Sequence, residues 1–145
     1  MSLFDVFTIA GSALEAQSVR LNLTASNMAN ANNVAGSAQE AYRARQPYFA
    51  PLLNRALTSS GAGASAATGV GAAPPRGVWE TPPPPPRLYQ PGHALADKDG
   101  YVYGSNVNPI DELVNMISAS RSYQNNVEVL NTSKELLLRT LMLGQ

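Results

Sequence analysis

At 145 residues the chain is long enough for one ordinary domain, and its ten Lys and Arg balance ten Asp and Glu for a formal net charge of zero. That balance leaves no basic footprint for nucleic acid or an anionic membrane, so neither is expected as a partner. No cysteine is present, which excludes disulfides, thiolate nucleophiles and cysteine-based zinc sites together.

The opening run Met1-Ser2-Leu3-Phe4-Asp5-Val6-Phe7 lacks a basic n-region and carries Asp5 among its apolar residues. No later stretch approaches eighteen apolar residues, so neither a cleaved signal peptide nor a membrane span is expected. Residues 3–30 read as one long helix, because Phe7, Leu14, Leu21 and Met28 recur every seven positions while Leu3 and Ala10 extend the stripe. Asn30, Asn32, Asn33 and Gly36 follow, residue types that favour the turn conformations ending a helix. The N-terminal segment is therefore set at 1–33.

A central segment, 34–107, changes composition three times. Tyr42, Arg43, Ala44 and Arg45, then Tyr48 and Phe49, fit a short extended piece broken by Pro47 and Pro51. From about Thr58 to Pro86 the chain is rich in Gly, Ala and Ser and ends in consecutive prolines, Pro82 to Pro86; it is expected to pass from flexible coil to stiff polyproline II without a core, as a spacer rather than a PxxP ligand. Leu88-Tyr89 and Tyr101-Val102-Tyr103 then flank Asp97-Lys98-Asp99-Gly100, whose glycine can take the positive φ of a turn, and this reads as a β-hairpin.

The C-terminal segment, 108–145, carries the clearest helix signal. Asn108 suits the N-cap, Pro109 the first helical position, and Asp111 and Glu112 the first turn, with Gly144 as a stop. Two heptad series run along it: Leu113, Ser120, Val127, Lys134, Leu141 and Met116, Tyr123, Leu130, Leu137. Such a helix is roughly 50 Å long at about 1.5 Å per residue, which calls for a partner alongside it. The expected fold is mainly α, two long terminal helices in an antiparallel coiled-coil-like pair with a small irregular and hairpin centre.

Enzymatic readings find little support. With Gly100 as the sixth residue of a calcium loop, the first ligand would be Leu95 and the bidentate acid Asn106, so the Asp97-x-Asp99-Gly100 cluster is a turn. His93 is the single histidine, with no Ser, Cys or second His spaced for a triad or a metal site. The carboxylates Asp5, Glu15, Asp111, Glu112, Glu128 and Glu135 lie on the helices, so no catalytic residue, metal or cofactor is expected. A wall-cleaving hydrolase, which needs an acid in a cleft, is disfavoured on the same grounds.

The helix faces that would meet water are unusually poor in charge. Helix one has Asp5, Glu15 and Arg20 among Ser12, Gln17, Ser18, Asn22, Thr24, Ser26 and Asn27. Such side chains hydrogen-bond across a contact without the desolvation cost of a charge. Contacts between subunits are therefore expected along Phe7, Leu14, Leu21, Met28, Leu113, Met116, Tyr123, Val127, Leu130, Leu137 and Leu141, shared with intrachain packing. Lateral polar contacts are expected at Gln17, Asn22, Asn27, Asn115, Arg121 and Asn126, which the pattern leaves without an intrachain partner. On this reading the termini are weakly ordered alone and become helical on assembly.

The run from Ser12 to Asn22 (SALEAQSVRLN) followed by Ala25 to Asn32 (ASNMANAN) resembles the N-terminal signature of flagellar rod and hook proteins. Gly100-Tyr101-Val102-Tyr103, Asn106-Val107-Asn108 and Glu112 to Asn131 resemble proximal rod members of that family, and Tyr42 to Arg45, Pro91-Gly92-His93 and Ala96-Asp97 fit as well. The resemblance implies a structural subunit of the basal-body axle, exported unfolded through the flagellar type III apparatus without a cleaved signal. It would stack with copies of itself and other rod proteins across the periplasm, and no chemistry is required. A type III secreted needle or tip component shares the long terminal helices and stands as the alternative.

Overall fold

The computed structural model describes residues 3–49 and 75–143. Helix α1 spans Leu3–Ala29 and helix α2 spans Pro109–Leu143. Among the described residues five short strands lie between them: β1 (Val34–Ala35), β2 (Arg45–Phe49), β3 (Pro75–Glu80), β4 (Arg87–Tyr89) and β5 (Tyr101–Gly104). Pro51, the stretch of the Gly/Ala/Ser tract up to residue 74, and Gly144 lie outside the described residues.

Both helices end where side chains satisfy their loose backbone groups. At the end of α1 the Asn30 side-chain amide donates back to the carbonyl of Ser26 at 2.8 Å, joining the Asn30 backbone N–H, which reaches the same carbonyl at 3.2 Å. At the start of α2, Asn108 Oδ1 accepts from the Ile110 N–H at 3.1 Å while its Nδ2 donates to Asp111 Oδ2 at 2.8 Å. The first backbone bond of the helix, Glu112 N–H to Asn108 carbonyl, follows at 3.1 Å. Pro109 occupies the position where its missing N–H costs nothing.

The expected hairpin is present. β4 and β5 pair antiparallel with Arg87 opposite Tyr103, Leu88 opposite Val102 and Tyr89 opposite Tyr101. Gly100 takes φ +79°, and its N–H donates to the Asp97 carbonyl at 2.8 Å; an added Cβ would lie 3.1 Å from both the Tyr89 ring and Pro91. β1 joins the other side of β5, giving a three-stranded sheet in the order β1-β5-β4. One face of the hairpin is a ladder of rings and a cation: the Arg87 guanidinium lies 4.5 Å from the Tyr101 ring centre, and Tyr89 meets Tyr101 edge-on at 5.2 Å. The opposite face presents Val102, which is fully buried.

Two expectations for the centre need correction. Pro47 does not break the extended piece; β2 runs through it and pairs with β3. In a two-stranded sheet each strand has an outward side, where a residue without an N–H costs no ladder bond. The proline-rich stretch is not a coreless spacer throughout, because β3 falls within it, Pro85 is buried, and the Pro86 carbonyl accepts from the Gly104 N–H at 2.9 Å.

The described chain divides into two compact units. One gathers, among the described residues, 3–19, 48–49, 75–77 and 119–143, and its buried apolar residues are Ala10, Ala16 and Ala119. The other comprises Arg20–Pro47 with Val78–Ser118 and buries Ala41, Ala44, Val102 and Val107.

Candidate assembly surfaces

The best-satisfied polar site among the described residues is built around Asn27. Its side chain is 1% exposed. Nδ2 donates to the Arg45 carbonyl at 2.9 Å, and Oδ1 accepts from the Arg45 N–H at 2.9 Å and from the Tyr42 hydroxyl at 3.0 Å. A single amide side chain thus takes the place of a neighbouring strand for Arg45, pairing both backbone groups at once. The Tyr42 hydroxyl also lies 3.2 Å from Ser26 Oγ. Asn106 holds the adjacent residue by one group: its Oδ1 accepts from the Ala44 N–H at 2.7 Å, and its Nδ2 donates to Thr81 Oγ1 and to the Pro83 carbonyl, while the Ala44 carbonyl accepts from the Thr81 N–H at 2.9 Å. These two amides fasten the start of β2 to the last turns of α1, and the stretch after β3 to the approach to α2.

This arrangement corrects the premise behind one expected lateral contact. The sequence pattern leaves Asn27 without an intrachain partner, yet its hydrogen bonds to Arg45 and Tyr42 are all made inside the chain. Asn115 likewise has a partner, accepting from Arg20 Nη2 at 3.4 Å. Of the other four, Asn22 and Arg121 are exposed, Asn126 and Gln17 are half-buried, and the Gln17 carbonyl oxygen is buried without a donor.

The apolar stripe residues divide differently from the heptad reading. Phe7, Leu14, Leu21 and Met28 on α1 are half-buried, as are Met116, Val127, Leu130 and Leu137 on α2. Leu113, Tyr123 and Leu141 are exposed. The deepest line along α2 is Glu112, Ala119, Asn126 and Ser133, one position before the series that begins at Leu113. A short side chain is covered completely when backbones approach closely, whereas a Leu beside that line keeps some of its surface in water.

Sequence reasoning also misses one surface that stays open and apolar among the described residues. Ile110 is 72% exposed and Val114 62%, and Leu113 and Ile117 lie on the same face with about half their surface open. Their spacing of i, i+3, i+4 and i+7 is legible, but heptads counted from Leu113 and Met116 take in only one of the four. A monomer rarely leaves such a contiguous face to water unless something covers it in use. Trp79 and Tyr89 are similarly open on the strands. Among the described residues no cluster of His, Asp or Glu could hold a metal, and no helix is long and apolar enough to cross a membrane. A hollow of about 430 Å³ beside Glu40, Tyr42, Arg43 and Glu80 is open and polar.

Two long helices that leave apolar side chains open to solvent are the scaffold of an assembly subunit. Comparison with known proteins agrees: residues 7–36 match the family described as Flagella basal body rod protein, and residues 98–143 match Flagellar basal body rod FlgEFG protein C-terminal. The molecule is a structural, non-enzymatic rod subunit of the flagellar basal body. Across the whole of both chains it is 49% identical over 145 residues to Flagellar basal-body rod protein FlgC of Yersinia enterocolitica, 49% to that of Escherichia coli O6:H1 and 47% to that of Salmonella typhimurium. The chain belongs to the FlgC family of flagellar basal-body rod proteins.

Proposed function

We propose that this subunit assembles with copies of itself and with other rod proteins through its terminal helices, into a tubular axle that carries torque across the periplasm. The observation that carries the reading is the apolar face of α2 that the single chain leaves open, led by Ile110 and Val114. Covering it releases bound water at about 25 cal/mol per Å² of apolar surface, so association is the favourable state. Within each subunit the terminal helices form an antiparallel coiled-coil-like pair. The Arg20–Asn115 hydrogen bond supports this, since counting outward from it along antiparallel helices brings Ala16 level with Ala119, and both are buried.

Phe7, Leu14, Leu21, Met28, Leu113, Met116, Tyr123, Val127, Leu130, Leu137 and Leu141 supply the apolar contacts, and Gln17, Asn22, Arg121 and Asn126 the lateral polar ones. Export runs through the flagellar type III apparatus, as the resemblance to flagellar rod proteins implies. Deleting the chain tests the assignment. Cells without it should build no complete rod and fail to swim, and complementation should restore both; swimming in its absence would refute the reading.

A further inference from the structure

The start and the end of α2 carry one exposed pattern with the charge inverted. At the start, Ile110, Leu113 and Val114 are 72, 49 and 62% exposed, and exposed Asp111 follows the first of them. Four heptads later, Leu138, Leu141 and Met142 are 48, 66 and 78% exposed, and exposed Arg139 follows the first of these. The i, i+3, i+4 spacing puts each trio on one face, and the charged residue, three positions before the last of its trio, borders that face. Among the described residues the ion pair is Arg45–Glu80, and neither Asp111 nor Arg139 meets a countercharge there.

We infer that the start of α2 in one molecule docks against the end of α2 in a second copy of this chain. The two trios match in size and spacing; around the end trio exposed Lys134, Glu135 and Arg139 sum to one positive charge, opposite in sign to Asp111 at the start. A continuous helix from Pro109 to Leu143 does not bring its own ends together, so the mate comes from another molecule. Because the two patches differ, the contact is heterologous and leaves one patch of each kind free for the next copy. The inference rests on the rod reading and names one partner surface within it.

The test places a photoreactive benzoylphenylalanine at Val114 of the full chain, in cells building flagella, and maps the crosslinked peptides by mass spectrometry. Crosslinks to the end of α2 of another copy are expected. Asp111→Arg or Arg139→Asp alone should lower their yield about fivefold, and the double variant should restore it. Crosslinks to a different protein or to another region of this chain would overturn the inference, as would a double variant of native helicity that fails to recover. The crosslink made with native charges decides the question whether or not a charge variant folds. A complete rod whose crosslinks run to another protein sinks this contact alone, whereas swimming by cells lacking the chain sinks the rod reading itself.

Discussion

Replacing Asn27 with Ala removes a side chain that makes three hydrogen bonds of 2.9 to 3.0 Å from a site 1% exposed. At about 1 kcal/mol net for each bond the loss is roughly 3 kcal/mol. Arg45 is an exposed residue, so its freed N–H and carbonyl turn to water and add little, while Ala is the better helix former by about 0.6 kcal/mol. Tyr42 retains Ser26 as a neighbour at 3.2 Å, so its hydroxyl is not stranded. The expected destabilisation is about 2–3 kcal/mol, against about 1 kcal/mol for Tyr42→Phe, which leaves both Arg45 bonds intact. Hydrogen exchange reads the effect at its source: the Arg45 and Ala44 amides should lose protection in Asn27→Ala while the middle of α2 keeps its own. If the Arg45 amide exchanges at the wild-type rate, Asn27 does not hold the central segment and the clamp is misconceived.

Other perturbations probe separate links. Gly100→Ala puts a Cβ at φ +79° and 3.1 Å from the Tyr89 ring, which should destabilise the hairpin by about 1–2 kcal/mol, read as earlier thermal unfolding of the Tyr101 and Tyr103 signals; an unchanged transition would count against the turn. Val102→Ala, at a fully buried position, should cost about 2 kcal/mol in chemical denaturation. Asn126→Asp places a charge on the deepest line of α2, and it should leave secretion intact but shrink swimming halos; normal halos would remove Asn126 from the contact surface. Circular dichroism of the dilute protein should show less helix than α1 and α2 together contain and gain it on polymerisation, whereas a fully helical monomer with a cooperative melt would show that assembly is not needed for order.

The elements with a strong local cause are legible in the sequence. Asn108 with Pro109 marks the start of α2, and Gly100 after Asp97 marks the hairpin, because caps and positive-φ turns depend on a few adjacent residues. β2 and β3 are not, since their pairing joins residues on either side of a long intervening stretch, and Pro47 and the prolines before Arg87 argue locally against strand. Asn27 misleads for the same reason: an amide on a helix face looks free until Arg45, eighteen positions on, is brought beside it. The register along α2 fails differently. Leu and Met dominate a hydrophobic count, whereas the most deeply covered positions include Ala119 and Ser133, whose small size is what allows the covering.

The prolines bear on how such a molecule avoids the wrong kind of polymer. A protein that must join its neighbours in large numbers is at risk wherever a strand offers unpaired backbone to a passing chain, because that invitation is nonspecific and leads toward amyloid. Here Pro47 interrupts the donors of β2, Pro75 opens β3, and Pro82 to Pro86 strip five successive N–H groups from the approach to the sheet edge at β4. A stray strand finds three residues to grip at that edge and no N–H donor in the five before them. Growth is thereby denied to the sheets and left to the helices, whose side chains can tell one partner from another.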